Sequence, residues 1–146
     1  GPFTLSARAD RIDDTDAGLV ITDYKTGRMP SAKSVLSGRA PQLPLEAAIA
    51  NGTAGFPGLS GRPVASLRYI RASGGEPAGE ESAIKCDDVV ALAVKAQQGL
   101  EALVARYDDA TTPYRAVRRA GFNYDYDDYA DLARVAEWSS YVEEEA

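Results

Sequence analysis

Two strand-like runs joined by an acidic turn open the chain, and they constrain the fold more than any other feature. Phe3 to Ile12 alternates, with Phe3, Leu5, Ala7 and Ala9 on one face, as a half-buried strand does. Asp13-Asp14-Thr15-Asp16-Ala17-Gly18 is rich in residues that bond their own backbone and tolerate left-handed conformations, so it reads as a turn. Gly18 to Tyr24 is a second strand, and residues 3–24 are therefore expected to form a hairpin. The apolar run Leu19-Val20-Ile21 leads directly into Asp23-Tyr24-Lys25. Such a run suits a strand in the middle of a sheet rather than at its edge.

The rest of the pattern supplies the sheet's partners. Residues 26–40 read as a loop containing Gly27, Pro30 and Gly38. A helix is expected from about Pro41 to Asn51, since proline suits a first helical turn and Gly52 suits its end. Leu45, Ala48 and Ile49 are expected on its buried side. Val64 to Ala72 reads as a third strand, with Leu67 and Tyr69 set against the cations Arg68 and Arg71. Residues 73–85 read as a polar connection. Asp87 is the expected N-cap of a long amphipathic helix, whose apolar positions Val89, Leu92, Ala93, Ala96, Leu100, Leu103, Val104 and Tyr107 recur with a helical period. A short helix is expected from about Asp128 to Trp138, with Leu132, Val135 and Ala136 inward. The order β-β-α-β-α describes an α/β domain, a small mixed sheet flanked by helices. A single domain of 146 residues is expected, with a core over about 3–108 and an aromatic, acidic extension over 109–146.

Composition narrows the chemistry. There is no histidine among the 146 residues, so Ser-His-Asp and Cys-His catalysis and histidine-ligated zinc are excluded within this stretch. The single cysteine, Cys86, excludes an internal disulfide and a four-cysteine metal site; it is expected to be a lone, partly buried thiol. The longest apolar run, Val89 to Val94, is far shorter than the roughly 20 residues needed to span a bilayer. No membrane contact and an intracellular location are therefore expected. The net charge of −6 conceals an asymmetry. Residues 1–75 carry nine basic and six acidic side chains, residues 76–146 seven and sixteen. Lys25, Arg28, Lys33 and Arg39 fall in a stretch without acids. A basic stretch beside aspartates suits a site that handles a metal ion and phosphates, although it also suits a solvated loop.

Residues two apart in a strand share a face, so Asp23 and Lys25 project together. Asp10, across the turn, is expected beside them, with Asp13 on the opposite face. Two carboxylates can hold Mg²⁺ or Mn²⁺, which prefer oxygen ligands, and a lysine can steady charge on a phosphate. An Asp/Lys pair on a strand is ordinarily a solvent-facing ion pair worth less than about 1 kcal/mol. The apolar run entering this one favours a buried, central position, where an unpaired surface charge is unusual.

Ala9-Asp10-Arg11-Ile12-Asp13, Ile21-Thr22-Asp23-Tyr24-Lys25-Thr26-Gly27 and Pro41-Gln42-Leu43-Pro44-Leu45-Glu46-Ala47 together resemble the RecB-like branch of the PD-(D/E)xK nucleases. Within it, the resemblance is greatest to the carboxy-terminal nuclease domain of the AddB family, and Thr112-Pro113-Tyr114 and the segment from Asp128 to Trp138 share it. The resemblance implies a restriction-endonuclease-like core and Mg²⁺- or Mn²⁺-dependent exonucleolytic hydrolysis of DNA. It implies Asp10, Asp23 and the Tyr24 carbonyl as metal ligands, and Lys25 as the catalytic lysine. Gln42 matches the glutamine of a Gln-x-x-x-Tyr motif beside the active site, in which Glu46 stands in place of the tyrosine. Arg28, Lys33 and Arg39 would contact DNA. The partners implied are single-stranded DNA and an AddA-like helicase-nuclease subunit that processes double-strand breaks for recombination in the bacterial nucleoid. The family core opens with a helix upstream of the first strand, which this sequence is expected to lack. As a piece of a longer protein it would be prone to self-association through exposed apolar surface, and no activity is expected of it in isolation. An iron–sulfur cluster is not expected. The rival readings are a catalytically silent, DNA-guiding module of the same complex and an acidic protein-interaction domain.

Overall fold

The computed structural model describes residues 3–53, 55–59 and 61–114. The chain divides into two compact units, residues 1–108 and 109–146. The expected helix over 128–138 lies outside the described residues. In the second unit, Asp109 closes a turn by accepting hydrogen bonds from the Thr111 N–H and hydroxyl, at 2.8 and 2.7 Å. These bonds hold its carboxyl below the ordinary value.

The first unit contains strands β1 (Arg11–Thr15) and β2 (Gly18–Lys25), helices α1 (Ala32–Leu36) and α2 (Gln42–Asn51), strands β3 (Val64–Ala72) and β4 (Gly79–Ala83), and helix α3 (Val89–Asp108). The strands form one mixed sheet in the order β1-β2-β3-β4. β1 pairs antiparallel with β2, β2 parallel with β3, and β3 antiparallel with β4. The parallel step requires a crossover, and α1 and α2 provide it. β2 is therefore central, as its apolar run foretells.

One face of the sheet holds the core. Leu19, Ile21, Leu67 and Tyr69 are fully buried with Leu43 and Ala47 of α2 and Ala93 of α3. Each large aliphatic side chain so buried contributes about 1.5–3 kcal/mol. The other face carries a polar lattice centred on Arg68. Its guanidinium reaches the Thr22 hydroxyl at 2.8 Å, Asp13 at 3.1 Å and Glu81 at 3.4 Å.

Several expectations shift. The first strand is Arg11–Thr15 rather than 3–12, so Asp13, Asp14 and Thr15 pair with β2 instead of turning. A two-residue connection, Asp16-Ala17, makes the hairpin, and residues 3–10 precede the sheet. Arg62 holds this hairpin to the approach of β3, by bonding Asp14 at 2.8 Å and the Thr15 carbonyl. The loop over 26–40 contains α1, capped by the Ser31 hydroxyl on Ser34 N–H and anchored by the fully buried Val35. The polar connection over 73–85 contains β4, an edge strand of small and charged residues with too little apolar alternation to be recognised.

α2 also turns another side inward. Leu43, Pro44, Glu46, Ala47 and Ala50 are buried, whereas Leu45, Ala48 and Ile49 are only partly covered. The helix is apolar on nearly every side, so periodicity does not select the buried one. Pro44 costs it no hydrogen bond, because the first turn has no intrahelical acceptors for its N–H groups. In α3 the N-cap is Asp88, whose carboxylate accepts from Ala91 N–H at 2.9 Å, rather than Asp87. Leu103 and Tyr107 at its far end are exposed rather than covered. A cavity of about 570 Å³ lies between Phe3, Leu5, Leu45 and Ile49 on one side and Leu100 and Val104 on the other. No helix among the described residues is long and apolar enough to cross a membrane.

Candidate active site

The C-terminal end of β2 brings Asp23 and Lys25 onto the core face of the sheet, where their charges meet. Asp23 is 3% exposed, and Lys25 Nζ lies 2.7 Å from its Oδ2. This is not the solvent-facing pair that such a tripeptide usually makes, because the strand is central and α2 packs over it. Lys25 Nζ also donates to Gln42 Oε1 at 3.2 Å. Gln42 begins α2, and its amide reaches back across the crossover to the strand. Gln42 Nε2 donates to Asp23 Oδ1 at 2.6 Å and to Glu46 Oε1, one helical turn on, at 3.2 Å.

Asp10 arrives from just before β1 rather than from within a strand. Its Oδ2 accepts the backbone N–H of Tyr24 at 3.0 Å, which fixes it beside the Asp23-Tyr24-Lys25 segment. The Tyr24 ring points to the opposite face, where its hydroxyl lies 3.4 Å from Arg11. Asp13 lies on that opposite face as well, bonded to Arg11 at 2.8 Å and Arg68 at 3.1 Å. Arg28, Lys33 and Arg39 are exposed along the crossover that follows Lys25, with Lys33 on α1.

Three further side chains complete the site. Glu46 is 4% exposed, with Oε2 lacking a hydrogen-bond partner. Burial is the main cause of its raised pKa, and the neighbouring charges of Asp23 and Asp10 add to it, against the opposing Gln42 hydrogen bond. Tyr69 is the register partner of Asp23 on β3, and Arg71 that of Lys25. The Tyr69 hydroxyl is buried without a partner. Burial, then the Asp23 and Glu46 charges, pushes it up to about 12. Arg71 pairs with Glu80 of β4 at 3.1 Å, leaving its Nε buried and unpartnered. Tyr69 as a member of the site escapes sequence reasoning, because only the β2–β3 register places it there. Glu46 is visible in sequence as a departure from a motif, but its burial is not.

The donor set suits a hard cation. Asp10 and Asp23 offer carboxylate oxygens, and Asp23 Oδ2 has no hydrogen bond of good geometry. Two nearly buried carboxylates facing one ammonium leave negative charge that burial makes costly without a counter-charge. Among the described residues, no three acidic, histidine or cysteine side chains stand close enough together to form a metal cluster. Cys86 is a free, partly buried thiol, and burial raises its pKa, with Asp87 and Asp88 adding to the effect.

The family model of the PD-(D/E)XK nuclease superfamily matches residues 1–123. No curated protein and no solved structure matches the chain.

Proposed function

The chain belongs to the PD-(D/E)XK nuclease superfamily, and we propose that it is a metal-dependent deoxyribonuclease domain of the AddB type. Its proposed substrate is single-stranded DNA, delivered by an AddA-like helicase-nuclease subunit during the processing of double-strand breaks in the bacterial nucleoid. The nuclease reading rests on family membership. The observation that carries the site within it is the Asp23–Lys25 pair, drawn together at 2.7 Å on the core face and bridged by Gln42. The narrower AddB reading is supported by the sequence segments around Asp10, Asp23 to Gly27 and Gln42.

In this reading Asp10, Asp23 and the Tyr24 carbonyl hold Mg²⁺ or Mn²⁺. The bound cation would supply charge stabilisation to the phosphate and lower the pKa of an attacking water. Lys25 presents a positive charge where negative charge builds on the phosphate oxygens, and its contacts with Asp23 and Gln42 limit the reorganisation needed. Gln42 holds both partners of the pair. Arg28, Lys33 and Arg39, exposed on the crossover, draw in the phosphate backbone without reading its sequence.

Cleavage of end-labelled single-stranded DNA in Mg²⁺, by the chain together with an AddA-like subunit whose own nuclease has been inactivated, tests the reading. Activity lost in Asp23→Ala and in Lys25→Ala supports it. If both variants cut as well as the unaltered chain, the site assignment is wrong. If none cuts while DNA still binds, the chain is a silent DNA-guiding module.

A further inference from the structure

Gln42 occupies a position where its two amide ends have opposite requirements. Its Nε2 carries two hydrogens and faces two carboxylates, Asp23 Oδ1 at 2.6 Å and Glu46 Oε1 at 3.2 Å. Its Oε1 faces the Lys25 ammonium at 3.2 Å. Turning the amide over would set its oxygen against two carboxylates and its NH₂ against an ammonium, making all three contacts repulsive. The orientation of Gln42 therefore follows from the charges around it.

Asp23 and Glu46 do not share that task equally. Asp23 also pairs with Lys25 and is an acid assigned above to the cation, so its oxygens serve several partners. Glu46 makes one hydrogen bond, to Gln42, and it is held in place by burial at 4% exposure on α2. A nearly buried carboxylate is costly unless it is hydrogen-bonded or paired, and the Gln42 amide is the hydrogen-bond donor that Glu46 has. We propose that Glu46 is a positioning residue, which holds the Gln42 carboxamide with its oxygen towards Lys25 and so keeps the lysine beside Asp23. The proposal rests on the catalytic assignment of Lys25 only for its effect on activity; the hydrogen-bond arrangement stands without it.

Side-chain amide NMR of Gln42 in the metal-free chain tests the arrangement directly. In the unaltered chain and in Glu46→Gln, which retains an acceptor oxygen, the two Nε2 protons should stay inequivalent and protected from exchange. In Glu46→Leu one proton should lose its shift and exchange about tenfold faster or more, as expected for the loss of a charge-assisted hydrogen bond. Glu46→Met serves the same reading if leucine disturbs folding. In the cleavage assay, the apolar variants should lower kcat about tenfold with KM for single-stranded DNA unchanged, while Glu46→Gln restores it. Unchanged Gln42 signals in a folded apolar variant overturn the proposal. So does a Glu46→Gln variant that loses Mn²⁺ affinity as far as Asp23→Asn does, because Glu46 would then be a cation ligand. If the unaltered chain cuts no DNA, the nuclease reading fails and the NMR result still decides this one.

Discussion

Tyr69 stands directly across the parallel β2–β3 junction from Asp23, and Lys25 Nζ lies 5.9 Å from the centre of its ring. The tyrosine is fully buried, so the Asp23 carboxylate sits against an apolar wall, while the Lys25 side chain, 30% exposed, keeps one side towards water. That wall strengthens the attraction between them, and it exposes each to the penalty of losing the other.

The Tyr69 phenol should titrate near pH 12. Because the folded value is raised above the ordinary value of about 10, the neutral hydroxyl contributes stability fully below pH 10. That contribution is lost as pH rises towards 12. A phenolate absorbance titration reads the shift. Asp23→Asn should lower the value by removing a neighbouring charge, and an unchanged value would separate the two residues.

Lys25→Met should destabilise the chain by about 1–2 kcal/mol, since it leaves Asp23 buried without its cation while solvent at the partly exposed lysine softens the effect. The double variant Asp23→Asn, Lys25→Met should recover most of that loss in urea melts. Additive losses would mean that the pair is uncoupled.

Arg68→Met should lower stability by about 1–2 kcal/mol, because the buried Thr22 hydroxyl and the Asp13 carboxylate lose a shared partner. Arg68 lies on the face opposite Asp23, so cleavage at a temperature where the variant remains folded should be unchanged. Equal falls in stability and kcat would contradict this separation of the two faces.

Gly18 has φ of +125°, and a Cβ there would meet the Pro63 carbonyl oxygen at 2.5 Å. The close approach belongs to the hydrogen bond from Leu19 N–H to Pro63 O at 2.9 Å, where β2 meets the start of β3. Gly18→Ala should therefore cost about 2 kcal/mol or more, read as a lower melting temperature. Gly27→Ala, where a Cβ meets nothing within 4 Å, is the matched control.

The apolar run Leu19-Val20-Ile21 by itself determined that β2 is central, and the period-two alternation beyond it determined that Asp23 and Lys25 share a face. The clear boundaries of β3 and α2 follow from β-branched and aromatic residues in one and from Pro41 and Gly52 around the other. These are local signals, each carried by neighbouring residues. The shift of β1 to Arg11–Thr15 was not local: Asp13 and Asp14 favour a turn alone, and their pairing with β2 and with Arg68 and Arg62 overrides that preference. β4 likewise exists because β3 offers it an edge.

The site divides in the same way. Sequence nominated Asp10, Asp23, Lys25 and Gln42 as candidates, since a motif records residue type and spacing. Tertiary structure alone decided that Asp23 and Glu46 are buried, that Gln42 bridges them, and that Tyr69 and Arg71 line the same face. Burial and register depend on how distant segments pack, and packing sets the charges and hydrogen bonds through which these residues act.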